Sequence, residues 1–293
     1  MTVRYGVTHS TCYFYAQRAG VSYHTAHWIP RETPVQQCIT RELWVNPSPA
    51  LVRERTDFFG NHVSFFNIQE PHSVLEVKSH LQVEVQAPPL PESVATLPWE
   101  KVQEFVLQNV NHQNIVQFLL PSPMVPVWNE LENYATDSFS AGKPVVEAVY
   151  GLVQQMYNDF MFDATATTVS TPLHEVFRMR RGVCQDFAHL LIGCLRSKGI
   201  PARYVSGYLE TNPPAGTERL LGADATHAWA AFYCPGFGWI DVDPTNNLVV
   251  QTSHITLGWG RDYGDVYPLR GVTMGGGSQT LQVGVTVERL TNN

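Results

Sequence analysis

Residues Leu75-Glu76-Val77-Lys78-Ser79-His80-Leu81-Gln82-Val83-Glu84-Val85 place an apolar side chain at nearly every second position. That is the period of a strand with one buried face. Shorter runs of β-favouring residues, Arg4–Thr8 and Val63–Ile68, share the character, and Asp57-Phe58-Phe59-Gly60-Asn61 supplies turn chemistry between them. The pattern over residues 1–87 predicts an antiparallel β domain, a β-sandwich. Ala87-Pro88-Pro89-Leu90-Pro91, with Pro98 soon after, cannot continue a ladder, so residues 88–98 read as a stiff linker.

From about Trp99 the period changes. Helices are expected over Val127–Phe139, Pro144–Phe160, Pro172–Arg180 and Cys184–Lys198, with Thr171 as N-cap and Pro172 at the first helical position. Phe187, Leu190, Leu191, Cys194 and Leu195 form the apolar stripe of the last helix, which stops at Gly199-Ile200-Pro201. Strands follow at Ala202–Leu209, Thr226–Tyr233, Gly238–Val242 and Gln279–Leu290. Residues 99–293 thus read as a second domain of mixed content, and the fold class as α+β.

The candidate chemistry lies in that second domain. Cys184 opens a helix after a Gly-containing turn, where unpaired N–H groups and the helix dipole favour a thiolate. Cys194, in mid-helix on the apolar stripe, reads as a core residue. His189 shares the helix but is rotated about 140° from Cys184 and set about 7.5 Å along the axis, which leaves it a structural role. His227 begins a strand. A three-residue loop, Cys234-Pro235-Gly236, would put it opposite Asp243; an odd loop length is needed to keep the two on one face. Asp241, two residues earlier on that face, is the rival carboxylate. Cys184, His227 and Asp243 are therefore the expected nucleophile, base and orienting acid, with the backbone N–H of Cys184 as half of an oxyanion hole.

The chain has 293 residues and a formal charge of −7, without a Lys/Arg cluster, which argues against nucleic acid as a partner. No apolar run is long enough to span a membrane, and the first residues lack the features of a secretory signal, so a cytoplasmic protein is expected. The five cysteines show no CxxC spacing and read as free thiols. His9, His24 and His27 lack partners at ligand spacing, so no metal is expected. Gly275-Gly276-Gly277 lacks the Lys and helix of a phosphate loop, and no cofactor is expected. The bulk properties leave the oligomeric state open.

Arg181-Gly182-Val183-Cys184-Gln185-Asp186-Phe187-Ala188-His189-Leu190, Gly199–Tyr208, His227-Ala228-Trp229, Trp239–Asn246 and Gly260–Val266 resemble the bacterial transglutaminase-like superfamily, whose members are often described as cysteine proteases. The front segment, with Pro30-Arg31 and Asp57–Asn61, is similar to the β domain that precedes such cores. The resemblance implies a papain-like core of helices on an antiparallel sheet, and it maps the triad to Cys184, His227 and Asp243. It implies acyl transfer on a peptide or protein amide through a cysteine thioester. Hydrolysis is the expected outcome. Transglutaminase activity with a primary amine acceptor and a non-catalytic peptide-binding module are the alternatives. Trp259 and Arg261-Asp262-Tyr263 are expected to line the cleft.

Overall fold

The computed structural model describes residues 2–108, 113–211 and 226–290. The amino-terminal half is built on one very long strand, β1 (Thr2–Ala26), with β2 (Gln36–Asn46), β3 (Leu51–Thr56), β4 (His62–Ile68) and β5 (His72–Gln86). The first part of β1 pairs antiparallel with β5, and its last part, from Ser22, with β4; the register with β5 breaks between Phe14 and Ala19. A break of this kind bends a strand. The two halves of the curled sheet face each other across Phe66 and Ile68 of β4 and Leu75 and Val77 of β5, which share one buried cluster with Trp28. The antiparallel layer read from the sequence is therefore a single sheet folded over on itself.

Past the proline-rich stretch come α1 (Glu100–Gln108), α2 (Gln113–Val116), α3 (Asn129–Ala135), α4 (Val145–Asp159), α5 (Leu173–Met179) and α6 (Cys184–Ser197), with the short parallel pair β6 (Met161–Phe162) and β7 (Arg181–Gly182) just ahead of α6. Pro172 occupies the N-cap of α5 without a side-chain bond, and the hydroxyl of Thr171 accepts from Thr168 N–H instead. This displaces by one residue the cap expected at Thr171. The second sheet has the order β11-β10-β9-β8-β12, from β8 (Ala202–Leu209), β9 (Thr226–Cys234), β10 (Gly238–Asp243), β11 (Leu248–Val249) and β12 (His254–Gly260). Leu190, Leu191 and Leu195 of α6 bury against Ala228, Ala230 and Phe232 of β9 and against α3 and α4. The other face of this sheet carries a separate cluster that includes Val205, Trp229 and Ala231.

The last strands, β13 (Leu269–Gly275) and β14 (Gln279–Arg289), lie outside this second sheet. Both pair with β1, β14 along Tyr5–Tyr15 and β13 along Ala19–Ala26. Residues 269–289, read from the sequence as part of the 99–293 unit, are thus members of the first sheet. Local alternation identifies a strand but does not name its partner, because both sheets accept the same pattern. Asn61 joins the two halves: its amide donates to Trp259 O and accepts from Trp259 N–H and from Arg31 (2.9, 3.0 and 3.0 Å).

Candidate active site

The start of α6 is fixed from several sides. Arg180 closes α5 in the left-handed conformation, with φ 56°, and its guanidinium lies over Tyr134, Phe160 and Phe177 at 4.4–4.9 Å. From there the chain passes through Gly182, where an added Cβ would lie 2.6 Å from Asp186 Oδ2. That approach lets Asp186 accept the N–H of Val183 at 2.9 Å and the hydroxyl of Thr167 at 2.6 Å. The carboxylate thus caps the helix at its third residue. Burial raises the Asp186 pKa, and the two hydrogen bonds oppose that rise. At the far end, Ile200 N–H reaches Leu195 O and Gly199 N–H, at φ 72°, reaches Arg196 O, a Schellman termination. Cys184 is therefore the first residue of a helix held at both ends, and it is half-buried.

Hairpin β9–β10 supplies the partners. The loop is Pro235-Gly236-Phe237, with Cys234 opposite Gly238. It has the expected odd length but lies one residue further along the chain than Cys234-Pro235-Gly236. His227 and Asp243 consequently share a face as diagonal neighbours instead of lying directly opposite. Their side chains close the gap: His227 Nε2 lies 2.7 Å from Asp243 Oδ2. The other ring nitrogen is left for Cys184, which lies close enough to raise the imidazole pKa. Asp241, the rival on the same face, accepts from Trp229 Nε1 at 2.9 Å instead.

Asp243 has no exposed surface, and both its oxygens are engaged. Oδ2 also meets His254 Nε2 at 3.1 Å and accepts from the amide of Asn246 at 2.7 Å, while Oδ1 accepts the backbone N–H groups of Thr245 and Asn246. Burial alone would raise its pKa, but the hydrogen bonds to His227 and His254 outweigh it and hold the group well below the usual carboxylate range. Burial likewise works against the charged form of His227. Its bond to Asp243 and the nearby Cys184 reverse this, and its pKa rises to about 10.

His254 and Asn246 were missed in the sequence. A hint to His254 lay in Ser253–Gly260, a short β-favouring run with a histidine at its start; no spacing linked it to Asp243. His227, Asp243 and His254 present ligand atoms within 4.8 Å of one another, as a metal site would. Their convergence on a single carboxylate oxygen accounts for that grouping, and an ion there would displace the bond that orients His227. His189 has the structural role expected of it: it is buried, accepts the N–H of Tyr263 at 3.1 Å, and has its pKa lowered to about 4 by burial. Cys194 is buried in the core cluster, and burial raises its thiol to about 12.

Of the residues expected to line the cleft, Tyr263 packs against the same core cluster as Cys184, and the others have these partners. Trp259 is stacked by Arg31 and Arg203 at the joint between the halves, on the opposite face of the sheet from α6. Arg261 is paired to Asp265, and Asp262 caps the turn at Gly264 and accepts from Met124 N–H.

The family model for the bacterial transglutaminase-like N-terminal region matches residues 5–84, and that for the transglutaminase-like superfamily matches residues 132–244, a span containing Cys184, His227 and Asp243. An uncharacterised protein of Mycobacterium tuberculosis is 40% identical over 278 residues, 92% of this chain and 88% of its own length. The chain belongs to the transglutaminase-like superfamily. A solved structure from Cytophaga hutchinsonii, provisionally named a cysteine protease, superposes on this superfamily member with a TM-score of 0.79 at 22% identity, over 100% of this chain and 92% of that one. It shows the same fold. A protein-glutamine gamma-glutamyltransferase of Pseudomonas aeruginosa is 36% identical over 111 residues, which span 36% of this chain and 16% of that protein. Among the described residues, no helix is long and apolar enough to cross a membrane.

Proposed function

We propose that this transglutaminase-like protein cleaves an amide bond of a peptide or protein through a thioester on Cys184, with water as the final acceptor. The observation that carries this reading is the His227 imidazole, bonded through Nε2 to the buried Asp243 carboxylate and raised in pKa by both Asp243 and Cys184. In the proposed cycle the raised imidazole pKa means that the ring already holds the thiol proton, and the thiolate sulfur attacks the amide carbonyl carbon. The oxyanion that forms faces the Cys184 N–H at the start of α6, where the dipole favours negative charge. Collapse breaks the C–N bond, and the leaving amine takes its proton from His227. Water then attacks the thioester, giving its proton to His227; the thiolate leaves and its pairing with the protonated ring is restored. Asp243 stays ionised and keeps the ring aligned.

Amine capture of the same thioester is the second reading, and the partial identity to the Pseudomonas glutamyltransferase favours it. A glutamine-containing peptide incubated with and without a primary amine separates the two. Release of free acid and ammonia at a rate unchanged by the amine supports hydrolysis; amine incorporation exceeding hydrolysis supports transfer. A binding module without turnover is tested by alkylation near neutral pH. Cys184 labelled much faster than the buried Cys194 supports an activated nucleophile, and equal rates would sink it.

A further inference from the structure

On the face of the second sheet turned away from α6, the sheet and the segment Thr33–Gln36 enclose a cavity of about 350 Å³, with the exposed Phe237 and Leu90 at its rim. Its floor is one row across three strands: Arg203 of β8, Ala231 of β9 and Asp241 of β10 lie in register. The small Ala231 leaves the space between the two charged residues open.

Arg203 is 7% exposed, and its Nε lacks a hydrogen-bond partner. Its guanidinium is stacked on Trp239 at 4.3 Å and Trp259 at 3.7 Å; among the described residues it makes no side-chain hydrogen bond, and the charge of Asp241 is what favours its charged form. The other buried arginine of this region differs. Arg196 is bonded to the carbonyls of Phe118, Ala202 and Arg261 and to the Ser122 hydroxyl. Leaving a buried guanidinium without acceptors is costly, and a planar fork between two indoles matches a carboxylate in shape and charge. Asp241 places only Oδ2 on Trp229 Nε1, which leaves its other oxygen for a donor.

We propose that this cavity binds the free C-terminal carboxylate of a peptide with an apolar last side chain. The carboxylate pairs with Arg203, the adjoining backbone N–H meets Asp241, and the side chain packs against Trp239 and Phe237. Cys184, His227 and Asp243 do not line this cavity, though His254, which meets Asp243, does; the proposal does not depend on the thioester reading.

The test uses N-acetyl-phenylalanine titrated into the full chain, followed by calorimetry and by the fluorescence of the flanking tryptophans. Saturable one-to-one binding is expected. N-acetyl-phenylalaninol, with a hydroxymethyl in place of the carboxylate, binds at least tenfold more weakly. The variant Gln251→Glu adds a carboxylate to the wall of the same cavity and weakens binding of the acid at least tenfold without changing the melting temperature; Arg203→Met does the same where it folds. Equal affinity for acid and alcohol overturns the proposal, as does affinity unchanged in Gln251→Glu. Slower alkylation of Cys184 in the presence of the acid also overturns it, because the ligand would then occupy the thiol's own cleft. Binding is read without turnover, so its failure is distinct from a failure of the hydrolytic cycle.

Discussion

Asp243 receives five hydrogen bonds from four residues, two from imidazoles, two from backbone N–H groups and one from an amide. This keeps a carboxylate ionised at zero exposure and fixes the ring of His227. In Asp243→Asn the main group raising the imidazole pKa is gone and burial remains, so NMR titration of His227 is expected to show its pKa fall from about 10 toward or below its ordinary 6.5. A raised pKa stabilises the fold fully below pH 6.5 and loses that contribution as pH climbs to about 10. Thermal melts of the wild type should therefore decline across that window, and those of Asp243→Asn should be flatter. His254 acts through Asp243. Replacing it by Phe removes a donor from Oδ2, and alkylation of Cys184 is expected to slow roughly tenfold to a hundredfold, as for other orienting partners. Gln, which keeps an N–H near the Nε2 position, should restore most of the rate; a purely packing role would be restored equally by neither or both.

The helix that carries Cys184 was legible because its signals are local: a Gly before the first residue, an apolar stripe at helical spacing and a Gly-Ile-Pro stop. The parity of the β9–β10 hairpin was legible for the same reason, since an odd loop keeps His227 and Asp243 on one face wherever its centre falls. The one-residue displacement of that loop was not legible. Gly236 and Gly238 both adopt positive φ, at 85° and 93°, so two glycines compete to place the turn and sequence alone gives no reason to choose. Also hidden was what Gly182 does. Its missing Cβ admits the Asp186 carboxylate, and Gly182→Ala forces that oxygen away and uncaps the helix start. A loss of about 1–2 kcal/mol in denaturant unfolding is expected, together with slower alkylation of Cys184, whose position depends on the same turn. Unchanged stability would mean that Asp186 moves aside without cost.

At the scale of the whole molecule, the chain returns to where it began. β13 and β14 flank β1 from the end of the sequence, while β5 and β4 flank it from the start, so the first sheet is complete only when residues 2–26 and 269–289 meet. Val285 and Val287 of β14 are fully buried in a cluster with Tyr5 and Val7 of β1 and with Tyr208 and Ile255 of the second sheet. That cluster ties both halves of the molecule to its last strand, a long-range pairing that no local alternation could announce. Ending the chain at Pro268 would expose the hydrogen-bonding edge of β1 over Tyr5–Tyr15 and open this apolar cluster to water, the conditions for edge-to-edge association. The shortened chain is expected to aggregate or to lose its cooperative transition, by size-exclusion chromatography and circular dichroism. The intact chain should unfold in one transition seen alike by tryptophan fluorescence and far-ultraviolet circular dichroism. Two separated transitions in the intact chain, or a soluble and cooperative shortened chain, would show that the halves fold independently and that the closing strands are dispensable.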